Sequence, residues 1–322
     1  MNAHAHDHAD HDHDHGHGGH AHHHSHGHHG HAHGPVDTGD WRYAVGLVVN
    51  LAFVLCEFAA GLIADSTALL ADAGHNLSDV LGLAMAGGAA WLARRGGHGV
   101  AGGRRTYGYG KATVLAALGN ALLLIFACGA IAFEAVRRFA EPAPVGSATI
   151  MAVAGIGFVI NLGTALLFMR SQHDLNARGA YLHMMADAGV SLGVVIAGAA
   201  IMVTQWSLID PLVSLGIVAV ILASTWGLLK DSVNLAMDGA PSAVDVQGLE
   251  AALAALPGVG AVHDLHVWGL STTEAALTAH LVHQRADPDA LLVEAQAVAR
   301  RFSIRHTTLQ LETQPLPDCP GY

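Results

Sequence analysis

Charged side chains are scarce in this chain of 322 residues, which is 52% hydrophobic and only 13% charged. Soluble domains carry roughly 25% charged residues, so this scarcity is typical of a membrane protein. The formal net charge is −11. An acidic balance argues against a nucleic-acid partner, because basic patches supply the affinity for phosphate backbones.

Cysteine is rare as well, and the three cysteines form no CxxC motif. Cys56, Cys128 and Cys319 lie far apart, so the sequence supports neither a disulfide framework nor a cysteine zinc site. The first residues lack the basic segment and the apolar core of a cleavable signal peptide, and we expect none.

The N-terminal segment lacks lysine and arginine but is rich in histidine. Residues 1–34 hold 16 of the 25 histidines, and residues 1–40 hold six aspartates. Without an apolar face to offset the entropy of ordering, residues 1–40 are predicted to be a disordered tail. Because neutral imidazoles bind divalent metals, we interpret it as a weak metal-binding segment. An inert tail or an expression tag is the alternative, and the irregular spacing argues against a tag.

Six apolar runs follow, each near the ~20 residues that cross ~30 Å of hydrocarbon. The runs cover residues 41–64, 67–93, 112–136, 148–169, 179–203 and 208–229. Backbone groups in lipid must pair within the segment, so the runs predict an all-α, six-helix transmembrane domain over residues 41–239. A soluble helical bundle is the alternative, and so many long apolar runs argue against it.

The distribution of lysine and arginine predicts the orientation in the bilayer. Arg42 precedes the first run and Lys230 follows the sixth, and the loops after the second and fourth runs are also basic. The basic residues of these two loops are Arg94, Arg95, Arg104, Arg105, Lys111, Arg170 and Arg178. On the opposite side only Arg137 and Arg138 lie near a run. The positive-inside rule therefore places both termini in the cytoplasm.

Residues 240–315 have the composition of a soluble domain. The pattern predicts a helix at 242–256, strands at 261–270 and 275–284, a helix at 288–302 and a strand at 307–312. The order α-β-β-α-β predicts a small α+β domain with a three-stranded sheet on the cytoplasmic side. Residues 316–322 form a short tail after it.

Two apolar runs share the motif His-x-x-x-Asp: His75 and Asp79 in the second run, and His183 and Asp187 in the fifth. Positions i and i+4 lie on one face of a helix. Two such helices side by side supply two nitrogen and two oxygen ligands, the tetrahedral number that zinc prefers. Cadmium and cobalt also suit this set. Two metal-free polar clamps between helices are the alternative.

Three further acidic residues lie in the apolar runs. Glu57 and Asp72 could line an access path or relay protons, or each could simply be buried against a neighbouring polar group. Asp210 precedes Pro211 at the start of the sixth run, which favours a role as a helix cap.

Several longer stretches resemble the cation diffusion facilitator family, in particular its bacterial zinc/cadmium/cobalt-type branch. They are GLIADSTALLADAGHNLSDVLGL (61–83), RRTYGYGKATVLAAL (104–118), NARGAYLHMMADAGVSLGVV (176–195), IDPLVSLGI (209–217), VHDLHVWGL (262–270) and HTTLQLE (306–312). The resemblance covers roughly residues 41–315. It implies six helices, a homodimer, a ferredoxin-like cytoplasmic domain and metal/proton antiport, with His75, Asp79, His183 and Asp187 as the transport site.

The resemblance also implies a regulatory zinc site in the cytoplasmic domain. The matching positions are His263, His280 and Glu312, with His266, His283 and His306 as nearby candidates. Some relatives have His-x-Asp at the end of the last strand. Here that position reads Gln-Leu-Glu, which argues against a binuclear version.

The sequence thus favours a secondary active transporter, not an enzyme, that exports zinc, cadmium or cobalt in exchange for protons. We expect an integral, multi-pass protein of a bacterial inner membrane. A metal sensor or storage protein, an intramembrane metalloenzyme and a passive channel are the alternatives. The chain lacks the HExxH motif of many zinc enzymes, and two His-x-x-x-Asp pairs would leave no open coordination position.

Overall fold

The computed structural model of the chain describes residues 41–95, 105–169 and 175–314. The predicted tails at residues 1–40 and 316–322 lie outside these described residues. Six long helices come first along the chain, and a smaller unit of helices and strands follows. The long helices are α1 (Trp41–Ala64), α2 (Thr67–Arg95), α3 (Lys111–Ala140), α4 (Ser147–Phe168), α5 (Leu175–Thr204) and α6 (Ile209–Ala236).

Four of these helices are long and apolar enough to cross a membrane, as judged by length and composition over the described residues. The four apolar segments are Lys111–Ala140, Ser147–Leu166, Tyr181–Thr204 and Ile209–Ala236. A shorter apolar segment, Leu51–Ala64, lies in α1. Polar and charged side chains interrupt the apolar sequence of α2. A helical transmembrane-type domain is therefore confirmed, whereas the number of six spans stays a prediction.

Large apolar side chains on the outside of the helices support a membrane environment. Phe126 is 77% exposed, Phe133 72% and Val203 84%. Soluble monomers rarely expose large contiguous apolar surfaces. Hydrocarbon tails, by contrast, are as apolar as these side chains and cover such surfaces at no cost. The helical part of the chain is therefore an integral membrane domain.

Helix α2 lies at the centre of the domain, in contact with α1, α3, α5 and α6. Helix α3 packs along both α2 and α6, whereas α4 packs mainly along α5. The core between the helices contains many small side chains, such as Ala68, Ala71 and Ala154. Small side chains let helix backbones approach closely, which favours association in a membrane.

The N-terminus of α2 is held by a carboxylate from another helix. Asp210 of α6 is buried and accepts hydrogen bonds from the Thr67 amide at 2.7 Å, the Thr67 hydroxyl at 2.7 Å and the Ser66 hydroxyl. A carboxylate there pairs unsatisfied amides and complements the helix dipole. The sequence favoured a capping role for Asp210 at its own helix. The structure corrects this, because Asp210 caps α2 and thereby ties α2 to α6.

The C-terminal unit confirms the predicted order α-β-β-α-β. Its elements are α7 (Val246–Ala254), β1 (Val259–Gly269), β2 (Ala275–His283), α8 (Pro288–Arg301) and β3 (His306–Glu312). The sheet has the order β1-β2-β3, with β1 and β2 antiparallel and β2 and β3 parallel. Parallel neighbours need a crossover connection, which α8 provides. The unit is therefore a small α+β domain with β2 in the centre of its sheet.

The helix starts in this domain are set by aspartate caps. Helix α7 begins at Val246 rather than at residue 242, because the Asp245 carboxylate accepts a hydrogen bond from the Gly248 amide at 2.9 Å. Asp287 caps α8 in the same way, through the Ala290 amide at 3.0 Å. Such caps satisfy free amides in the first helical turn.

The two domains meet at the N-terminus of α3. The Thr113 hydroxyl accepts a hydrogen bond from the Thr272 amide at 3.1 Å. Lys111 forms an ion pair at 2.6 Å with Asp238, which lies in the segment that connects α6 to the C-terminal domain. Gly110 lies so close to the turn after β1 that a Cβ atom would stand 2.6 Å from a backbone carbonyl oxygen. Only glycine allows this approach, so the start of α3 rests directly on the sheet domain.

Asp210→Ala should destabilise the protein by roughly 3 kcal/mol, because it leaves the buried amide and hydroxyl groups at the start of α2 without an acceptor. Asp210→Asn keeps one acceptor oxygen and should cost less. Thermal unfolding of the detergent-solubilised chain measures both effects. The exposed carboxylate Asp231 of α6 provides the control, and Asp231→Asn should leave the midpoint unchanged. Equal midpoints for Asp210→Ala and the wild type would contradict the capping role.

Candidate metal centres

The two His-x-x-x-Asp motifs come together between α2 and α5. Asp79 lies 3.7 Å from His75 and 3.2 Å from His183, measured from carboxylate oxygen to Nε2. Asp187 lies 3.3 Å from His75 and 3.5 Å from His183. Each carboxylate therefore bridges the same two imidazoles, and each helix contributes one imidazole and one carboxylate. We refer to these four residues as the four-ligand cluster.

The spacing within the four-ligand cluster suits a tetrahedral ion. Metal–ligand bonds of 2.0–2.1 Å imply edges of about 3.3 Å between ligand atoms in a tetrahedron. The four measured nitrogen–oxygen separations, between 3.2 and 3.7 Å, bracket that value. Three of the members, His75, Asp79 and Asp187, also offer ligand atoms that all lie within 4.8 Å of one another. These three side chains, with His183 next to both carboxylates, form a candidate site for one small divalent cation.

The cluster is buried unevenly. The side chain of Asp187 is 4% exposed and that of His75 11%, whereas Asp79 is 31% exposed. Charged groups inside a membrane protein are costly and mark functional positions by default. Opposite charges and hydrogen-bonding groups within the cluster offset that cost in part.

Glu57 and Asp72 lie outside the four-ligand cluster but next to it in the fold. Glu57 Oε2 accepts a hydrogen bond from Asn76 Nδ2 at 3.0 Å. Asp72 Oδ2 accepts one from the Ser191 hydroxyl at 3.0 Å. Their positions inside apolar runs were visible in the sequence. Their partners were not, because Asn76 and Ser191 lie on helices whose packing the sequence does not specify.

A second cluster lies on the sheet of the C-terminal domain. The carboxylate of Glu312 on β3 lies 3.1 Å from His263 Nε2 and 2.9 Å from His280 Nδ1. His263 and His280 are direct partners in the register of β1 and β2. The three side chains offer ligand atoms within 4.8 Å of one another. The structure thus brings together the three positions that the sequence singled out, and we call them the sheet cluster.

Glu312 is held in its ionised form by its neighbours. Burial alone would raise the pKa of this carboxyl group, but hydrogen bonds with His263 and Gln310, together with the charges of His263 and His280, outweigh burial. The pKa of Glu312 therefore lies below its ordinary value. An ionised carboxylate is the form that ligates a metal.

The three nearby histidines do not join the sheet cluster. His266 Nε2 lies 2.9 Å from the Asp264 carboxylate. His283 accepts a hydrogen bond from the Arg285 amide at 3.1 Å through Nδ1. The ring of His306 packs edge-on against a tyrosine near α3. Each of them thus has a partner of its own.

Asp264 is a neighbour of the sheet cluster that the sequence analysis did not single out. It adopts a positive φ of 50° within an irregularity of the β1–β2 pairing between His263 and His266. One oxygen lies 2.9 Å from His266 and the other 3.5 Å from His280. Bulges re-aim side chains in this way. In the sequence, the position of Asp264 directly after His263 is the signal that could have identified it as a neighbour of the sheet cluster.

A helical membrane domain joined to a small α+β domain, each with side chains able to hold a metal ion, is typical of metal-ion transporters. A family model described as the cation efflux transmembrane domain matches residues 43–235. A second, described as the cytoplasmic domain of cation efflux proteins, matches residues 241–314. The chain therefore belongs to the cation diffusion facilitator family of bacterial metal efflux proteins.

Similar proteins with curated names match along most of their length. The chain is 36% identical to the metal cation efflux system protein CzcD of Cupriavidus metallidurans, over 84% of this chain and 86% of that protein. It is 37% identical to the zinc transporter ZitB of Escherichia coli, over 88% and 92%. It is 32% identical to the cadmium, cobalt and zinc/H(+)-K(+) antiporter of Bacillus subtilis, over 84% and 88%.

The depressed pKa of Glu312 predicts a pH-dependent stability of the metal-free protein. The contribution of Glu312 should be fully present above its unfolded pKa, about 4.3. It should be lost as the pH falls from there through the lower folded pKa, because the unfolded state then binds more protons. Thermal unfolding with a chelator present, from pH 6 downwards, measures this in the wild type and in Glu312→Gln. Parallel curves for the two proteins would contradict the prediction.

Proposed function

We propose that this protein exports zinc, or alternatively cadmium or cobalt, from the cytoplasm by proton-coupled antiport through the four-ligand cluster. The observation that carries the proposal is the meeting of His75, Asp79, His183 and Asp187 between α2 and α5, with nitrogen–oxygen separations of 3.2–3.7 Å. Two imidazoles with two carboxylates suit zinc, whereas sites built only of oxygen ligands suit magnesium or manganese. The exported ion is the substrate and not a resident cofactor.

The names of the similar proteins support the substrate and the coupling. One is named a zinc transporter, and another is named a cadmium, cobalt and zinc/H(+)-K(+) antiporter. The identities of 32–37% extend over at least 84% of this chain. A shared substrate class is therefore the simplest expectation for this protein.

The proposed architecture follows from the same reasoning. Residues 41–239 form a six-span transport domain, residues 240–315 a ferredoxin-like cytoplasmic domain, and residues 1–40 and 316–322 two tails. The basic loops place both termini in the cytoplasm of a bacterial cell, with the transport domain in its inner membrane. The cytoplasmic domain belongs to a family domain of cation efflux proteins, and we propose that it joins two copies into a homodimer.

Protons and metal compete for the four-ligand cluster. A metal ion needs neutral imidazoles and ionised carboxylates, so its binding releases protons. When the cluster faces the cytoplasm, the chain binds metal and loses protons. When it faces outwards, protonation of His75 or His183 weakens the ligands and favours release. Movement of α2 relative to α5 would change the exposed side, as alternating access requires.

We further propose that the sheet cluster binds a regulatory zinc ion through His263, His280 and Glu312. Two imidazoles and one carboxylate are suitable zinc ligands. Gln310 donates a hydrogen bond to Glu312 Oε1 at 2.9 Å and so helps to orient the carboxylate. Hydrogen bonds from neighbouring side chains commonly hold metal ligands in a fixed orientation.

Asp79→Asn and Asp187→Asn should each lower zinc flux at least a hundredfold, because each removes one of the two carboxylates that would neutralise the ion. Flux of Zn²⁺ into proteoliposomes under a set pH gradient, followed with an enclosed dye, measures the effect. Cd²⁺, Co²⁺, Ni²⁺ and Mn²⁺ compared in the same assay define the substrate. Asp231→Asn is the matched control and should transport normally.

The same assay separates the rival functions. Normal flux in both aspartate variants would rule out the four-ligand cluster as the transport site. Zinc binding without flux in the wild type would indicate a sensor or storage protein. Flux that never runs uphill with a proton gradient would indicate a channel.

Deletion of residues 1–34 should lower zinc transport at scarce metal more than the maximal rate, because a labile metal-binding tail raises the local metal concentration. The measurement is flux as a function of free Zn²⁺ in proteoliposomes of the full-length and shortened chains. An equal loss at all zinc concentrations would contradict a reservoir role for the tail.

A further inference from the structure

Two carboxyl groups are buried beside the four-ligand cluster without belonging to it. The exposed fraction of both Glu57 on α1 and Asp72 on α2 is 0%. One oxygen of each accepts a hydrogen bond, from Asn76 and from Ser191 respectively. The second oxygens, Glu57 Oε1 and Asp72 Oδ1, are buried and have no hydrogen-bond partner among the described residues.

The two carboxyl groups lie close together, because Asn76, which donates a hydrogen bond to Glu57, lies one helical turn after Asp72 on the same face of α2. The other titratable groups that face them are His75 on α2 and Asp187 on α5. Helix α4, which also packs against α1, has no titratable side chain. Among the lysine and arginine side chains that the structure describes, none forms an ion pair with Glu57 or Asp72.

Two adjacent carboxylates cannot both remain ionised in such surroundings. Each buried charge is costly in hydrocarbon, and like charges at short distance oppose each other's ionisation. A single proton between the two groups removes one negative charge. It also turns two facing acceptors into a donor and an acceptor, which provides the missing hydrogen bond.

We propose that Glu57 and Asp72 form a proton-binding pair that carries one of the protons exchanged for metal. The inference rests on the antiport proposed above and names a proton site outside the four-ligand cluster. In each cycle the pair takes up one proton on the outer side and releases it to the cytoplasm, while the metal ion moves in the opposite direction.

The hydrogen bond between Asp72 and Ser191 links this pair to the metal. Asp72 lies one helical turn before His75 on α2, and Ser191 lies one turn after Asp187 on α5. The bond thus joins the same two helices that build the four-ligand cluster. A movement that separates α2 from α5 must break it, and a hydrogen bond to a carboxylate favours the ionised form. The same movement therefore changes both metal binding and the charge state of the pair.

Amide substitutions test the proton site without removing its shape. Glu57→Gln and Asp72→Asn are permanently uncharged, as a protonated carboxyl group is, and they keep hydrogen-bonding capacity. The assay uses the full chain in proteoliposomes, with Zn²⁺ as the only metal and separate dyes for zinc and for pH. Each variant should lower the proton-to-zinc ratio by about one proton per ion.

Two further variants control for unrelated effects. Asp231→Asn makes the matched change at an exposed position of α6 and should leave the ratio unchanged. Ser191→Ala keeps both carboxyl groups and should leave the ratio unchanged, while shifting the pH at which zinc flux is half-maximal. A purely structural role for Ser191 would lower flux at every pH without a shift.

If a variant binds zinc but no longer transports it, calorimetry in two buffers of different ionisation enthalpy measures the protons released on zinc binding in detergent. A release lowered by about one proton supports the inference. An unchanged ratio or release in both amide variants would overturn it and leave the proposed antiport intact. Zinc flux without proton movement in the wild type, or no zinc flux at all, would overturn both.

Discussion

The cost of an uncompensated charge in hydrocarbon constrains the whole helical domain. The structure offsets this cost in different ways at different positions. The Asp210 carboxylate lies at a helix N-terminus, where amides and the helix dipole surround it. Arg138 is buried at the end of α3 and donates to both the backbone carbonyl and the carboxylate of Asp65. The four-ligand cluster combines carboxylates with imidazoles, a set of groups that can also bind a divalent cation.

Helix α2 is where these solutions meet. Its first turn is fixed to α6 through Asp210. His75 and Asp79, further along the helix, contact the His-x-x-x-Asp motif of α5. Contacts of small side chains with α1 and α3 hold it in the middle of the domain. Helix α5, in turn, packs mainly on α4. The four-ligand cluster therefore lies along a boundary between two groups of helices, and a site at such a boundary can be reshaped without unfolding either group.

Much of this arrangement follows from local patterns in the sequence. The i, i+4 spacing of His183 and Asp187 fixes their common helix face, and strand alternation together with aspartate caps gives the order of the C-terminal domain. The sequence did not reveal contacts that depend on packing between distant segments. Asp210 caps a helix that begins 143 positions earlier, and Asp264 approaches His280 only because β1 is irregular there. Helix periodicity identifies a face but not the helix that will cover it.

Because the four-ligand cluster is buried unevenly, one of its two carboxylates is more accessible than the other. Asp79 is 31% exposed, while Asp187 is only 4% exposed. In the proposed transport cycle, an ion that arrives from the accessible side would first exchange a water molecule for the Asp79 carboxylate and would exchange the last one for Asp187. Dehydration would thereby be divided into steps, and one new ligand would offset the cost of losing water at each step. Cations that hold their water tightly, as magnesium does, would stall at the first step, so in the proposed cycle the order of contact would itself select among cations.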